Sequence, residues 1–512
     1  MSNDALSSRD DASEVEPVDA STVVLLRPGA HEPEALLLRR HPKSRFMAGA
    51  YVFPGGHVDA ADAAFPLSVE DREWCTSQLP IDDSRAVAFF VAGIRELFEE
   101  AGVLLARPAR NATNAPPEAA PPEAAPPEEG RVERLRAARA RLNAGEISFS
   151  ELLASEGLEV DVRALRTWSH WITPSAERRR YDTRFFVAWL PEGQEANFDA
   201  IETTKQVWAG LRSAVAGHFL MHIYLAPPTQ RTFEELQAFA HRPDLEAELD
   251  AGRLSPPILP KLLFDQSGIR IVLPWDTQYS SAHGSGEAAE PLPRQAGLPS
   301  QIYVRRPNLQ AEDGQDPAQK ILQFWFGVDS DSVHASPDQN LRWWRGGPDV
   351  DEQCRSFEAD RKRLVEGEFQ NWGMEPQRDL ARVLLIDQIS RNIFRGTAEA
   401  FAHDGQALAW VKDGISVGRA AQLPPLLRSF YLMPLMHAED LDDQNRSVSI
   451  FEDLARSVPA SARAEYDKKV EAAHGHRDII ARFGRFPHRN AALGRTSTPE
   501  EQAFIDTPGS GY

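Results

Sequence analysis

Residues 95–103 read Arg95-Glu96-Leu97-Phe98-Glu99-Glu100-Ala101-Gly102-Val103, closing a run of helix length, Ala86–Ala101, that stops at a glycine. On a helix Glu96, Glu99 and Glu100 stand at i, i+3 and i+4, so three carboxylates leave one face. Like charges that close destabilise a helix unless something cationic lies between them. Hard oxygen ligands of this kind suit Mg²⁺ or Mn²⁺, which also bind diphosphate oxygens. Leu97 and Val103 can pack inward, and Arg95 can clamp a neighbouring glutamate. Upstream, Gly55-Gly56 follows Pro54 and gives a turn whose backbone can approach a metal or a phosphate closely.

Around this helix the chain reads as α/β. Ser21–Arg27 and Ala35–Arg40 are short β-rich runs parted by Pro-Gly, a hairpin signal, and Ala50–Phe53 is a third short strand. Tyr181–Leu190 is a further strand rich in aromatic and β-branched residues. The repeated PPEAA units between Asn114 and Gly130 lack backbone donors and apolar bulk, so the Pro/Ala/Glu-rich segment at about 107–130 reads as a solvated insert. The charged helical pattern that follows, from Arg131, leads back into globular sequence.

These residues resemble the Nudix hydrolase signature, a glycine followed at a distance by Arg-Glu-aliphatic-x-Glu-Glu-x-Gly-aliphatic. Its whole second half is present. One departure is the spacing: Gly56 and Arg95 are 39 positions apart, longer than the signature by roughly 25 residues, which a loop can absorb. Asp62 stands where the signature usually has a glutamate, and it also suits a helix cap. A box split in this way resembles the coenzyme A and acyl-coenzyme A diphosphatase branch. Trp171-Ile172-Thr173-Pro174, Arg180–Phe186, Ile201-Glu202-Thr203 and Pro227-Pro228-Thr229 add to that similarity, which covers about Ala20 to Tyr279.

The resemblance implies a Nudix fold, a mixed sheet sandwiched by helices, and hydrolysis of a nucleoside diphosphate linked to another group with Mg²⁺ or Mn²⁺ as cofactor. Glu96, Glu99, Glu100 and Gly56 are the expected metal site. Glu96 is a ligand or the general base, and Arg95 is its orienting partner. The expected substrate is coenzyme A or an acyl-coenzyme A; ADP-ribose or another nucleotide sugar is the alternative. Arg178, Arg179, Arg180 and Arg184 form a basic island in an acidic chain, and Arg40 lies in a second basic run, Arg39–Arg45. Either could hold a phosphate.

The length of 512 residues exceeds one ordinary core. Ser, Gly, Pro and Glu crowd together at 280–315, which divides the chain into a domain at 20–279 and another at 316–506, with tails at 1–19 and 507–512. The second reads as all-helical, with apolar positions three and four apart in Leu380–Phe394 and Gln406–Ile415. Five of the eleven tryptophans, Trp325, Trp343, Trp344, Trp372 and Trp410, sit there, enough to anchor a separate core. Phe324–Gly327, Asp387–Gly396, Tyr431–Glu439 and Arg482–Asn490 resemble an uncharacterised bacterial family, domain of unknown function nine-two-four, whose fold is similar to tetratricopeptide-type (TPR-like) helical repeats. Thr498-Pro499-Glu500-Glu501 reads as an N-cap with a capping-box glutamate. Asp387 and Arg391 are i, i+4, as are Gln388 and Asn392. With His437, Glu439, Arg485, His488 and Arg489 they could line a pocket for an anion, or lock helices together as a buried polar network.

The net charge of −20 opposes nucleic acid and anionic membrane. Two distant cysteines, Cys75 and Cys354, suit a reducing compartment. No apolar stretch is long enough to cross a bilayer, and the acidic N-terminus lacks the apolar core of a signal peptide. The expectation is a cytoplasmic bacterial enzyme acting on a small nucleotide-type molecule. The rival reading is a ligand-sensing Nudix fold whose helical half is a scaffold for a protein partner; the intact glutamate triplet argues against it.

Overall fold

The computed structural model describes residues 15–41, 47–109, 130–198, 203–239, 241–252, 256–265, 268–284, 298–303, 316–327, 330–345 and 347–507. Residues 1–14 of the acidic tail, the PPEAA repeats, Lys43–Arg45, Ile201-Glu202 and most of 280–315 lie outside the described residues, while Val18 and Asp19 open the first strand. Two compact units emerge. Met1–Leu211, Leu225–Leu263 and Ile271–Ala296 form the first; Arg212–Tyr224, Phe264–Arg270 and Gly297–Tyr512 form the second.

The first unit is built on a mixed seven-stranded sheet. Strand β1 (Val18–Arg27) turns into β2 (Glu34–Arg40) as an antiparallel hairpin, with Leu26 opposite Ala35. β3 (Tyr51–Val52) pairs with β2, and β4 (Gly55–His57) pairs with β1. The short α1 (Ala60–Ala63), α2 (Val69–Gln78) and the long α3 (Asp83–Ala101) follow. β5 (Ala106–Pro108) leads to the insert; α4 (Arg131–Asn143), α5 (Phe149–Ser155) and β6 (Leu158–Val160) return from it, and β6 pairs with β5. β7 (Arg166–Ile172), β8 (Tyr181–Trp189) and β9 (Thr203–Gly210) complete the sheet. The order is β3-β2-β1-β8-β7, with β1 and β8 parallel and β9 on β2.

Helix α3 begins where Asp82 accepts the Arg85 amide at 3.2 Å and ends at Gly102, left-handed, whose amide meets the Phe98 carbonyl at 2.9 Å. It lies on β1: Phe89, Phe90, Ile94, Leu97 and Phe98 join Val23, Leu25, Leu165 and Phe186 in one core. Each such side chain contributes roughly 1.5–3 kcal/mol on burial. Val24 and Leu26, on the alternate face of β1, are equally buried, as expected of a strand covered on both sides. The helix Pro227–Leu236 is also buried, and its Phe233 ring lies 5.3 Å from Phe53.

The second unit is helical throughout Pro317–Ile505 among the described residues. Helix Pro317–Phe326 starts on Asp316, and Gln319 Nε2 donates to the Met221 carbonyl at 2.9 Å. Trp343 stacks edge-on with Phe430, 4.5 Å between centroids, beside Trp325 and Phe326. Residues 376–393 run as one helix with a π-helical turn at Leu385–Ile389. Within it Asp379, fully buried, accepts Arg382 at 2.7 Å, Arg419 at 2.9 Å and the Tyr431 hydroxyl at 2.7 Å. Thr498 caps the last helix with Glu501 reaching back to its amide, as its sequence indicates. Gln301–Tyr303, inside the stretch that composition marks as linker, is a short strand, and Gln301 accepts from Arg270 at 2.8 Å. No described helix is long and apolar enough to cross a membrane.

Candidate active site

The carboxyl-terminal turns of α3 carry Arg95, Glu96, Glu99 and Glu100, and β4 brings Gly55 and Gly56 against them. The Gly55 amide donates to Glu100 Oε2 at 2.9 Å. A β-carbon on Gly56 would stand 2.5 Å from Glu96 Oε2, and one on Gly55 would meet the Ser21 carbonyl at 2.2 Å. Neither position has room for a side chain, so the two glycines allow the loop to close onto the glutamates.

Arg95 holds the cluster together. Its Nε and Nη2 grip Asp62 bidentately at 3.0 and 2.9 Å, its Nη1 reaches Glu96 at 2.9 Å and Glu99 at 3.0 Å, and Nη2 also donates to the His57 carbonyl at 2.8 Å. Asp62 is buried in the first turn of α1, whose N-cap is Asp59 and not Asp62. It closes α1 by accepting the Asp59 amide at 2.8 Å, and it fixes Arg95. Burial pushes Glu96 up to about 7, with Arg95 pulling it back and Glu99 pushing it further. Burial likewise raises Glu99 against the pull of Arg95. From beyond the insert, α4 reaches the end of α3: Arg139 Nε and Nη2 and Asn143 Nδ2 all donate to the Glu99 main-chain carbonyl, at 2.9, 2.7 and 3.3 Å.

Among the described residues no three His, Cys, Asp or Glu side chains form a group ready to hold a metal ion. Glu96 and Glu99 are turned onto Arg95, and Glu100 onto the Gly55 amide. The donor set still fits a hard divalent cation. It is all oxygen, and two of its carboxylates are raised by burial and, at Glu96, by a like charge, which a cation would relieve.

The basic island separates. Arg178 and Arg179 are exposed at the turn before β8. Arg180 is buried, donating to the Thr173 and Val15 carbonyls at 3.1 and 2.8 Å. Arg184 faces α3 from β8, 5.3 Å from the Phe89 ring. Arg40, at the end of β2, has a buried Nε with no partner among the described residues. Sequence reasoning missed His170, on β7, whose Nε2 meets Asp182 at 2.6 Å. It also missed Arg139 and Asn143, whose approach to Glu99 has no signal in local spacing.

In the second unit Asp387, on the π-helical turn, pairs with Arg391 at 2.9 Å and with His437 Nδ1 at 2.8 Å. Burial disfavours its charge, but Arg391 and His437 outweigh this and hold it below the usual range. Asp404, not foreseen from the sequence, accepts Arg391 at 2.8 Å and Arg489 at 3.2 Å. Burial raises Asp404, pushes Arg489 down to about 10 and pushes His488 down to about 4. The other foreseen residues point elsewhere. Glu439 binds Arg495 at 2.7 Å, Arg485 binds Glu501 at 2.6 Å, and Asn392 donates to the Gln388 carbonyl at 2.9 Å.

Residues 63–236 match the family model of the NUDT19 Nudix domain, and residues 321–509 match that of a bacterial protein of unknown function, DUF924. Human acyl-coenzyme A diphosphatase NUDT19 is 32% identical over 287 residues, covering 49% of this chain and 74% of that protein. The Gallus gallus enzyme of the same name is 30% identical over 256 residues, covering 41% and 65%. Among solved structures, a protein of unknown function from Agrobacterium tumefaciens, ATU0120, is 32% identical, with 37% of this chain and 96% of that one covered and a TM-score of 0.32. A NUDIX hydrolase from Alicyclobacillus acidocaldarius is 26% identical, covering 48% and 99%, with a TM-score of 0.36.

Proposed function

The chain belongs to the Nudix hydrolase family as a diphosphatase, and from that premise we propose that it cleaves coenzyme A or an acyl-coenzyme A at the diphosphate. The observation that supports a hydrolytic site here is the closure of Gly55-Gly56 onto Glu96 and Glu100, with Arg95 fixing Glu96 and Glu99. Support for the substrate is the likeness to human acyl-coenzyme A diphosphatase NUDT19.

Glu96, Glu99 and Glu100, with the Gly56 backbone beside them, would hold Mg²⁺ or Mn²⁺. Such an ion would offset the charge of the diphosphate. Arg95 keeps Glu96 and Glu99 in place and is itself held by the buried Asp62. Glu96 serves either as a ligand of that ion or as the group that accepts a proton from water. Arg40, whose buried Nε has no partner among the described residues, and the exposed Arg178 and Arg179 are the cations proposed for the remaining phosphate.

The test is turnover of coenzyme A, acetyl-coenzyme A, ADP-ribose and nucleoside triphosphates with Mg²⁺ or Mn²⁺, products being identified by mass. Adenosine 3′,5′-bisphosphate and a phosphopantetheine species are expected from the first two. Preference for ADP-ribose with no action on coenzyme A would overturn the substrate and leave the diphosphatase standing.

A further inference from the structure

The glutamates occupy a part of α3 that its own hydrogen-bond ladder holds weakly. The last carbonyls of a helix have no amide four residues on to meet them, and the last turn is where a helix frays. Glu99 and Glu100 lie in that turn. Of its carbonyls, Phe98 is met by the Gly102 amide at 2.9 Å and Ala101 by the Asn197 amide at 2.7 Å. The Glu99 carbonyl is met by no main-chain amide among the described residues. Three side-chain donors come to it instead: Arg139 Nε and Nη2 at 2.9 and 2.7 Å, and Asn143 Nδ2 at 3.3 Å.

Helix α4 is held so as to deliver them. Leu135, Ala138 and Leu142 pack against the core of the first unit. At i, i+3 and i+7 they define one face of the helix, and Arg139 and Asn143, one turn apart, border it. Arg139 Nη1 goes on to the Asn197 carbonyl at 2.7 Å, so a single guanidinium joins α3, α4 and the segment after β8. Gly102 leaves the room for it: a β-carbon there would stand 3.0 Å from Arg139 Nη1. A positive charge at the carboxyl end of a helix is also favoured by the helix dipole. These bonds go to the backbone, and they fix the turn from which two of the carboxylates project.

We propose that Arg139, helped by Asn143, is a positioning residue for the carboxylates of Glu99 and Glu100, an inference that rests on the hydrolytic reading of the glutamates. It acts through the main chain. With the Glu99 carbonyl held, Glu99 and Glu100 keep one spacing from Glu96, and the oxygen set for a divalent cation stays assembled. Without it the turn loosens, and part of the free energy of cation binding goes into ordering it again.

The test compares Arg139→Met, Arg139→Lys and Asn143→Ala in the full-length protein with Arg136→Met, which removes an exposed arginine from the same helix. Mn²⁺ binding is read without substrate by electron paramagnetic resonance, and the last turn of α3 by hydrogen exchange of the amides at 99–102. Arg139→Met should raise the Mn²⁺ Kd and speed that exchange, each about tenfold or more, the usual loss when a group that orients a metal ligand is removed. Turnover should fall at low Mn²⁺ and return to within a few-fold of wild type at saturating Mn²⁺. Arg139→Lys, which keeps the charge and one reaching donor, should lie between Arg139→Met and wild type. Asn143→Ala should have a smaller effect, and Arg136→Met none. Should Arg139→Met fail to fold, Arg139→Lys and Asn143→Ala decide. Equal Mn²⁺ affinity in wild type and the Arg139 variants, or a loss of turnover that saturating Mn²⁺ does not restore, would overturn this proposal alone. Mn²⁺ binding by the wild-type protein that is indifferent to Glu99→Gln would overturn the hydrolytic reading together with it.

Discussion

Two charged clusters, one in each unit, differ in their charge balance. In the first, Asp62, Glu96 and Glu99 share the single guanidinium of Arg95. In the second, Asp387 and Asp404 face Arg391 and Arg489, two against two. Burial, with like charge added, raises Glu96 and Glu99; in the second cluster burial raises Asp404, while Arg391 and His437 hold Asp387 below its usual range. A surplus of buried negative charge invites a cation from outside. The balanced set ties helices together, while Asp404 Oδ1, Arg489 Nε and His488 Nδ1 stay buried with no hydrogen-bond partner among the described residues. Charge balance is what separates the two clusters.

The largest expected effect breaks this comparison if it fails. Glu99→Gln or Glu100→Gln should lower kcat about 10²–10⁴-fold with the thermal transition kept, since a metal-binding or proton-handling carboxylate has that worth. Asp387→Asn should leave kcat within about twofold, because its network belongs to the other unit from the glutamates. Wild-type rates in both glutamine variants would show that the surplus has no catalytic meaning. Next in size, Arg95→Met leaves three carboxylates without their shared partner and should cost about 3–5 kcal/mol in urea unfolding at pH 8. A loss under about 1 kcal/mol would mean the cluster is not held by Arg95.

A pH titration sharpens the contrast. Glu96 is raised to about 7 from its ordinary 4.5, so the folded chain binds the extra proton between those values. That contribution is fully present below about pH 4.5 and is lost as pH rises through about 7, to a total near 3 kcal/mol. Unfolding in chelator at pH 5 and pH 8 should show the loss, and Glu96→Gln should abolish it; an unchanged slope in the variant would contradict the assignment. The smallest effect belongs to the second cluster. Asp404→Asn removes one member of a balanced set and should cost about 1–2 kcal/mol in unfolding. A gain in stability there would place it with the first cluster.

Local chemistry made much of this legible. The end of α3 is encoded by Gly102, the β1–β2 hairpin by β-rich runs parted by Pro-Gly, and the last helix by Thr498 and Glu501. The i, i+4 pair of Asp387 and Arg391 also forms as its spacing indicates. What the sequence hid are partners that meet across long loops. Asp62 finds Arg95 at 33 positions' remove, and Asp182 finds His170 across two strands. Arg139 reaches Glu99 from beyond the insert, and Asp404 joins Arg391 and Arg489 from a different helix. Periodicity reports which face a residue occupies, but not which distant face comes to meet it. The splitting of the arginine island followed the same rule, since the pleat sends Arg180 to backbone carbonyls and Arg184 toward α3.

The grip of Arg139 and Asn143 on the Glu99 carbonyl means that both ends of the insert are anchored without it. β5 is zipped to β6 before it, and α4 is pinned to α3 after it. Whatever lies between Ala109 and Gly130 is therefore free to vary in length without pulling on the glutamates. That makes the position a natural splice point. A protease site there could be cut with the two pieces remaining joined, and a foreign domain could be grafted in while the hydrolase goes on working beneath it.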